Sequence, residues 1–270
     1  MPANSRVDTL LAAVILSIPA GAGAQDTSAL AKDLSNPIAS LTSVPIQLNY
    51  DADFGPQEDG DRLLLNIQPV VPLSLNDQWN LISRTIVPVI DQNDISPAGG
   101  QSGIGDVTEA MFFSPKAPTA RGLIWGAGPQ FLVPTATSDS LGNEQWGLGP
   151  TVVMLKQREA WTFGALVGHM FSVAGDDSRT TVNITNLQPF VAYVTPTAVT
   201  YSANLESTYN RHGADGQGWS IPLNLAVSKV FRMGGQLLSV QGGVRYWLDT
   251  PDDGPDGVGF RVAVTLLYPR

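Results

Sequence analysis

The chain has 270 residues, with 24 acidic against 15 basic side chains and no cysteine. Such an acidic balance argues against nucleic acid as a partner, because nucleic acid wants a basic face. The lack of cysteine excludes disulfides, thiol catalysis and zinc–cysteine centres, and suits a protein that crosses an oxidising periplasm unfolded.

Residues 1–24 read as a secretory signal. Arg6 supplies the positive start and Leu10 to Pro19 the apolar core. The run Ala20-Gly21-Ala22-Gly23-Ala24 is a small-residue cleavage pattern, which makes Gln25 the first mature residue. The apolar core is too short for an anchor helix, and no later stretch approaches the ~18 consecutive apolar residues of a spanning helix. Residues 25–43 form a separate N-terminal segment. Within it Leu30, Leu34, Ile38 and Leu41 fall on one helical face, interrupted by Pro37. This segment is either a short helical piece tucked into, or plugging, the periplasmic mouth of a barrel formed by the rest of the chain, or a flexible tether.

Residues 44–270 are a series of strand-like segments. Twelve are expected, over 44–50, 62–71, 79–90, 104–114, 122–134, 145–156, 160–173, 182–194, 198–210, 218–231, 236–248 and 259–269. Their lengths suit tilted strands that cross a bilayer, which need about 9–11 residues. The last ones alternate most clearly. In 259–269, Phe260, Val262, Val264, Leu266 and Tyr268 oppose Gly259, Arg261, Ala263, Thr265 and Leu267. Tyr201/Tyr209 and Phe260/Tyr268 place aromatics at both ends of an apolar face. At ~3.3 Å per residue and ~40° tilt each pair spans about 20 Å, near the height of the apolar band between two aromatic girdles.

The gaps also alternate. Those at 51–61, 91–103, 135–144, 174–181, 211–217 and 249–258 are long and acidic; the others are mostly short and carry Lys116, Arg121, Arg158 and Arg232. Long loops at one end and short turns at the other are the layout of an antiparallel transmembrane β-barrel with periplasmic termini. The expected fold is therefore an all-β barrel of about 12 strands with a short N-terminal helical segment. Its partners would be outer-membrane lipid, lipopolysaccharide (whose phosphates can share cations with the acidic loops), the barrel-assembly machinery and a small solute.

Catalytic signals are sparse. Hydrolysis needs a nucleophile with a base, or paired carboxylates. His212 falls in a loop, and His169 and Ser172 have opposite parity on one strand. No phosphate loop, EF-hand or metal-ligand spacing is present, and DTPDDGPD (Asp249–Asp256) reads as a solvated loop rather than a cation site. No catalytic residue, cofactor or metal is expected. Function is sought in the lumen, whose candidate solute path is lined by Gln47, Asn49, Asn66, Gln68, Asn80, Arg84, Gln130, Gln145, Asn204, Glu206, Gln241, Arg245 and Arg261. These groups either pair and fill the interior or line a solute path. Gly122, Gly126, Gly128, Gly147 and Gly149 are expected to leave open space beside strands 5 and 6. Asp106 and Glu109 differ in parity, so one of them must face the less suitable side.

Several motifs read together. They are Gln68-Pro69-Val70-Val71-Pro72, GIGDVTEAMFFSPK (Gly103 to Lys116), GPQFLVPTAT (Gly128 to Thr137), LGNEQWGLGP (Leu141 to Pro150) and GPDGVGFRVAVTLLYPR at the C-terminus. Over nearly all of the mature chain they resemble the bacterial outer-membrane family labelled "meta-pathway of phenol degradation" protein, also circulated as "transporter" or, misleadingly, "neuromedin U". The resemblance implies an outer-membrane barrel that passes small solutes, hydrophobic or aromatic ones among them, and brings no catalytic residues. The alternatives are a closed structural or adhesion barrel, and a barrel lipid hydrolase with His169 facing a serine on a neighbouring strand.

Overall fold

The computed structural model describes residues 24–95, 99–214 and 216–269. The signal segment expected over 1–24 lies outside the described residues except for its last position, and so does Asp215. One helix, α1 (Ala24–Leu34), precedes the strands. They are β1 (Thr42–Phe54), β2 (Gly60–Ile67), β3 (Val70–Ser74), β4 (Trp79–Asn93), β5 (Gln101–Ile104), β6 (Val107–Pro115), β7 (Leu123–Val133), β8 (Gln145–Arg158), β9 (Trp161–Gly175), β10 (Asn183–Val194), β11 (Val199–Leu205), β12 (Ser207–Asn210), β13 (Trp219–Met233), β14 (Gln236–Asp249) and β15 (Val258–Tyr268).

Three pairs among these are single strands that lapse for one or two residues: β2 with β3, β5 with β6, and β11 with β12. Each lapse sits at a proline. Pro69 is one. Pro88 accepts the Gly105 N–H at 2.9 Å and Pro222 accepts the Glu206 N–H at 3.2 Å. Proline has no N–H to return, so the ladder skips a step while the strand stays in the sheet. The fold is thus a closed antiparallel barrel of twelve strands, sealed where β1 pairs with β15 from Thr42↔Tyr268 to Tyr50↔Phe260. Short turns, such as 195–198 and 234–235, cluster at one end with Thr42 and Tyr268. The longer loops, such as 134–144 and 250–257, cluster at the other.

The alternation has its sign inverted relative to a water-soluble sheet. On β15, Phe260, Val262, Val264 and Tyr268 are exposed, whereas Arg261, Ala263, Thr265 and Leu267 are buried. Bare apolar side chains outside and covered polar ones inside are stable only against hydrocarbon. Aromatics mark both rims of this outer face. At the short-turn end Trp79 meets Trp125 with centroids 5.9 Å apart, and Trp161 meets Tyr193 at 4.9 Å beside Tyr201. At the long-loop end Tyr209 meets Trp219 at 4.9 Å, near the level of Phe260. The tryptophans join the aromatic pairs Tyr201/Tyr209 and Phe260/Tyr268 read from sequence, and only the register reveals that they share a level.

The Asp106–Glu109 conflict resolves without either residue entering the lumen. Asp106 sits in the lapse between β5 and β6 and holds the 134–144 loop, accepting the N–H groups of Ala136 (3.2 Å) and Asn143 (2.6 Å). Glu109 lies on the outer face opposite Thr85. It accepts the hydroxyls of Ser83 and Thr85, at 2.6 and 2.5 Å, from that same face.

The N-terminal segment sits inside the short-turn mouth. The helix stops at Leu34, because Pro37 disfavours helical geometry at Asn36, and the Asn36 side chain accepts the Ile38 N–H at 3.0 Å. Ile38 and Leu41 are therefore not on the helical face of Leu30 and Leu34, contrary to what their spacing suggests. Ala31 and Leu41 pack on Val194, Ala198, Val230, Leu237 and Leu267. Ile38 reaches the other wall and packs on Ile82, Phe112, Val153, Leu155 and Leu166. Ser28 donates to the Thr195 carbonyl (3.3 Å), Gln157 to the Lys32 carbonyl (2.8 Å) and Asn80 to Ser40 (2.9 Å).

This segment corrects one expectation. Gly126, Gly128, Gly147 and Gly149, on β7 and β8, leave no open space. A Cβ on Gly126 would meet Phe112 at 3.2 Å and the plug's Ile38 at 3.3 Å. One on Gly147 would meet Leu132 and Met170, and one on Gly128 or Gly149 would fall on the carbonyl of Met111 or His169. Gly122 lies outside the strands, in a turn with φ +72°. The four strand glycines admit close approach of neighbouring backbone and side chains instead of lining a void, and Gly122 serves the turn's positive φ. Gly149→Ala is therefore expected to disrupt the β8–β9 pairing and lower the urea midpoint of the refolded barrel. Gly242→Ala, with nothing within 4 Å of its Cβ, is expected to leave that midpoint unchanged. Heat-modifiable gel migration and urea titration read both.

Candidate functional site: the barrel lumen

The strands of one wall bring a charge network into the lumen. Register alone decides its members, because inward positions recur every second residue. Arg245 on β14 reaches the Asp51 carboxylate at 3.1 Å and Glu206 at 2.8 Å. Arg261 on β15 donates twice to Glu206, both at 2.8 Å, and once to Asn49 at 2.7 Å. Asn224 accepts from Arg245 at 2.9 Å, and Trp247 donates to Asp51 at 3.1 Å. Arg62, on β2 opposite Asp51, approaches it at 3.9 Å. Glu206 occupies the lapse between β11 and β12, the point where Pro222 leaves the ladder one bond short.

Two of these residues depart from the sequence reading, in which Asp51 belongs to an outer loop and Arg62 to an unremarked strand start. β1 in fact continues to Phe54, which carries Asp51 into the lumen with its side chain fully covered. The available signal was parity: Asp51 follows Gln47 and Asn49 at the same two-residue step. The first acids of the loop read as one cluster with it, which hid the strand's end.

The thirteen expected lumen residues separate into groups. Asn49, Glu206, Arg245 and Arg261 form the network, and Gln47 joins it through a 3.4 Å contact with Asn49. Arg84 and Gln68 form a second pair, with an Arg84 Nη donating to the Gln68 side chain at 2.9 Å. Asn204 and Gln241 line the space between these groups, and Asn66 opposes Gln47 on the interior face. Asn80 holds the plug. Gln145 donates to the Asp176 carbonyl (2.7 Å) at the long-loop rim, and Gln130 is buried on the opposite wall. At that rim Asp176 also accepts the hydroxyl and N–H of Ser178, both at 2.7 Å, which hold its carboxyl below the ordinary value. The lumen is not polar all round. The wall of β6 to β10 presents Phe112, Val153, Leu155, Leu166 and Phe190.

Between the plug and the charge network lies a chamber of about 300 Å³. Leu34 and Pro37 form its floor, Glu206 and Arg261 its far side, Arg84 and Phe190 parts of its wall. It is a space for a small molecule, enclosed laterally by the sheet.

The histidines take no part. His169 points to the outer face and shares a 3.0 Å hydrogen bond with Thr185 on β10, not with a serine. Ser172, on the opposite face, accepts the Val182 N–H at 2.7 Å. His212 contacts Thr181 in a loop at 3.1 Å. Among the described residues no group of three or more His, Asp or Glu side chains is arranged to hold a metal.

The covered ion pairs give the network its fragility. Removing one member of a buried pair leaves the other charge without compensation, which costs more than the pair itself contributes. Glu206→Ala, which sets Arg245 and Arg261 against each other, is expected to cost about 2 kcal/mol, below the usual range for a broken buried pair because Glu206 is partly solvated. A lower urea midpoint with unchanged slope is the readout.

No family model matches the sequence, and no curated protein matches it. Solved structures do. The COG4313 outer membrane channel from Pseudomonas putida F1 is similar with a TM-score of 0.64 and 16% identity, over 85% of this chain and 96% of that one. The NanC porin is similar with a TM-score of 0.53 and 13% identity, over 83% of this chain and 98% of that one. Outer membrane phospholipase A from Escherichia coli is looser, at 0.48 and 12%. At these identities the likeness is one of fold: this chain has the fold of an outer-membrane β-barrel, with porin-like channels among its structural neighbours.

Proposed function

We propose that this protein is an outer-membrane channel through which small solutes pass by diffusion, with residues 25–43 as a plug in the periplasmic mouth. The observation that carries the reading is the chamber itself, a solute-sized space held between the plug and the charge network. The fold shared with the COG4313 channel and the NanC porin supports the same class. Export by the signal segment, insertion by the barrel-assembly machinery and acidic loops facing lipopolysaccharide complete the placement.

The solutes are small and partly apolar. Phe190 and Leu166 line the chamber on one side while Arg84, Gln68 and Glu206 line it on another, so a molecule with a polar group and a hydrocarbon body meets both. This agrees with the resemblance to the phenol-pathway family and its hydrophobic or aromatic solutes. No catalytic step is assigned.

Single-channel conductance of the refolded mature protein in a planar bilayer, with and without residues 25–43, tests this. Steady conductance that grows when the plug is removed is the expected result. Silence in both forms, from protein with β-sheet circular dichroism and heat-modifiable migration, would replace the channel with a closed structural barrel.

A further inference from the structure

We propose that the chamber is a binding site for a small amphipathic carboxylate, with its headgroup on Arg84 and its apolar body against Phe190 and Leu166. The inference rests on the channel reading and names the class of solute.

The argument begins with charge. Four arginines, Arg62, Arg84, Arg245 and Arg261, share the lumen with the carboxylates Asp51 and Glu206. Three of the four are ion-paired. Among the described residues Arg84 alone of these has no carboxylate within ion-pairing distance, and its hydrogen bond goes to the neutral side chain of Gln68. A guanidinium has five N–H donors in a planar fork, and one Nη bound to an amide leaves most of them for another acceptor. Glu206 faces Arg84 across the chamber without touching it, and four guanidinium groups against two carboxylates leave the confined lumen with an excess of positive charge, a cost that a bound anion removes.

Place selects the anion. Arg84 borders both the chamber and the crevice of about 170 Å³ beneath the plug. The chamber also holds the Asn204 side chain, whose Oδ1 is covered and has no hydrogen-bond partner. Opposite the polar wall, Phe190 and Leu166 offer apolar surface that a bare inorganic anion would leave unused. A volume of about 300 Å³ accommodates a single ring with its headgroup, at the lower limit of ordinary ligand pockets.

Isothermal titration of the refolded full barrel in detergent, with benzoate, benzamide and acetate as probes, decides the matter. Benzoate is expected to bind about tenfold more tightly than benzamide, its neutral isostere, and than acetate, which has the headgroup without the ring. Arg84→Gln should weaken benzoate about tenfold or more, Arg84→Lys should keep most of the binding, and the loop variant Arg179→Gln should change nothing. The comparison of probes on the unmodified protein stands even if an Arg84 variant fails to fold. Equal binding of benzamide, binding unaltered in folded Arg84→Gln, or no benzoate binding would each overturn the assignment. Benzoate binding in a barrel that never conducts would leave the site and remove the channel. Conduction without benzoate binding would do the reverse.

Discussion

A strand in hydrocarbon has no water to satisfy its edge. Each unpaired N–H or C=O there costs several kcal/mol, so a sheet that crosses a bilayer must close on itself. In this protein closure rests on β1 and β15, the first and last strands, which pair from Thr42↔Tyr268 to Tyr50↔Phe260. The rest depends on that seam. It brings Asn49 beside Arg261 and Asp51 beside Arg245, 212 and 194 positions apart, and so creates the charge network. It also defines the short-turn mouth into which the N-terminal segment folds.

Closure also turns the physics of burial inside out. The apolar face of each strand is left bare for lipid, and the polar face must be satisfied within the barrel. Arg245, Arg261, Asp51 and Glu206 do so by pairing, a solution in which desolvation and attraction nearly offset each other and a single deletion unbalances both. The plug serves the opposite wall, where Ile38 covers Ile82, Phe112 and Leu155. Arg84 stands between these two arrangements and belongs to neither. The same logic applies on the outside at Glu109, whose carboxylate faces away from the lumen and is capped by two hydroxyls of β4.

The fold was legible because its signals are local. Period-two alternation, aromatics at matched spacing and loops of alternating length and charge are each contained in a few dozen residues. Together they place twelve strands within a few residues of their observed ends. The lumen was legible one strand at a time. Parity puts Arg245, Arg261 and Glu206 on inward faces, yet does not say which arginine meets which carboxylate. Reading fails at the ends of elements. Asp51 groups with the loop acids because β1 runs farther than its apolar residues do. Glycines pass for space because parity shows where a missing side chain points and not what fills the gap.

The architecture is encoded locally, since a barrel strand is specified by its own alternation and by the turns that bound it. Most of the interior chemistry was readable from parity as well: Arg84, Arg245 and Arg261, Glu206 and the amides, but not Asp51 or the outward turn of His169. The partners of each charge depend on how the strands are set against one another. Stagger between neighbouring strands sets the height of every side chain, and a change of one step would exchange ion pairs for unpaired charges. The seat of Ile38, the isolation of Arg84 and the chamber between them are products of that stagger and of the plug's path, and none of them is written in any one segment of the chain.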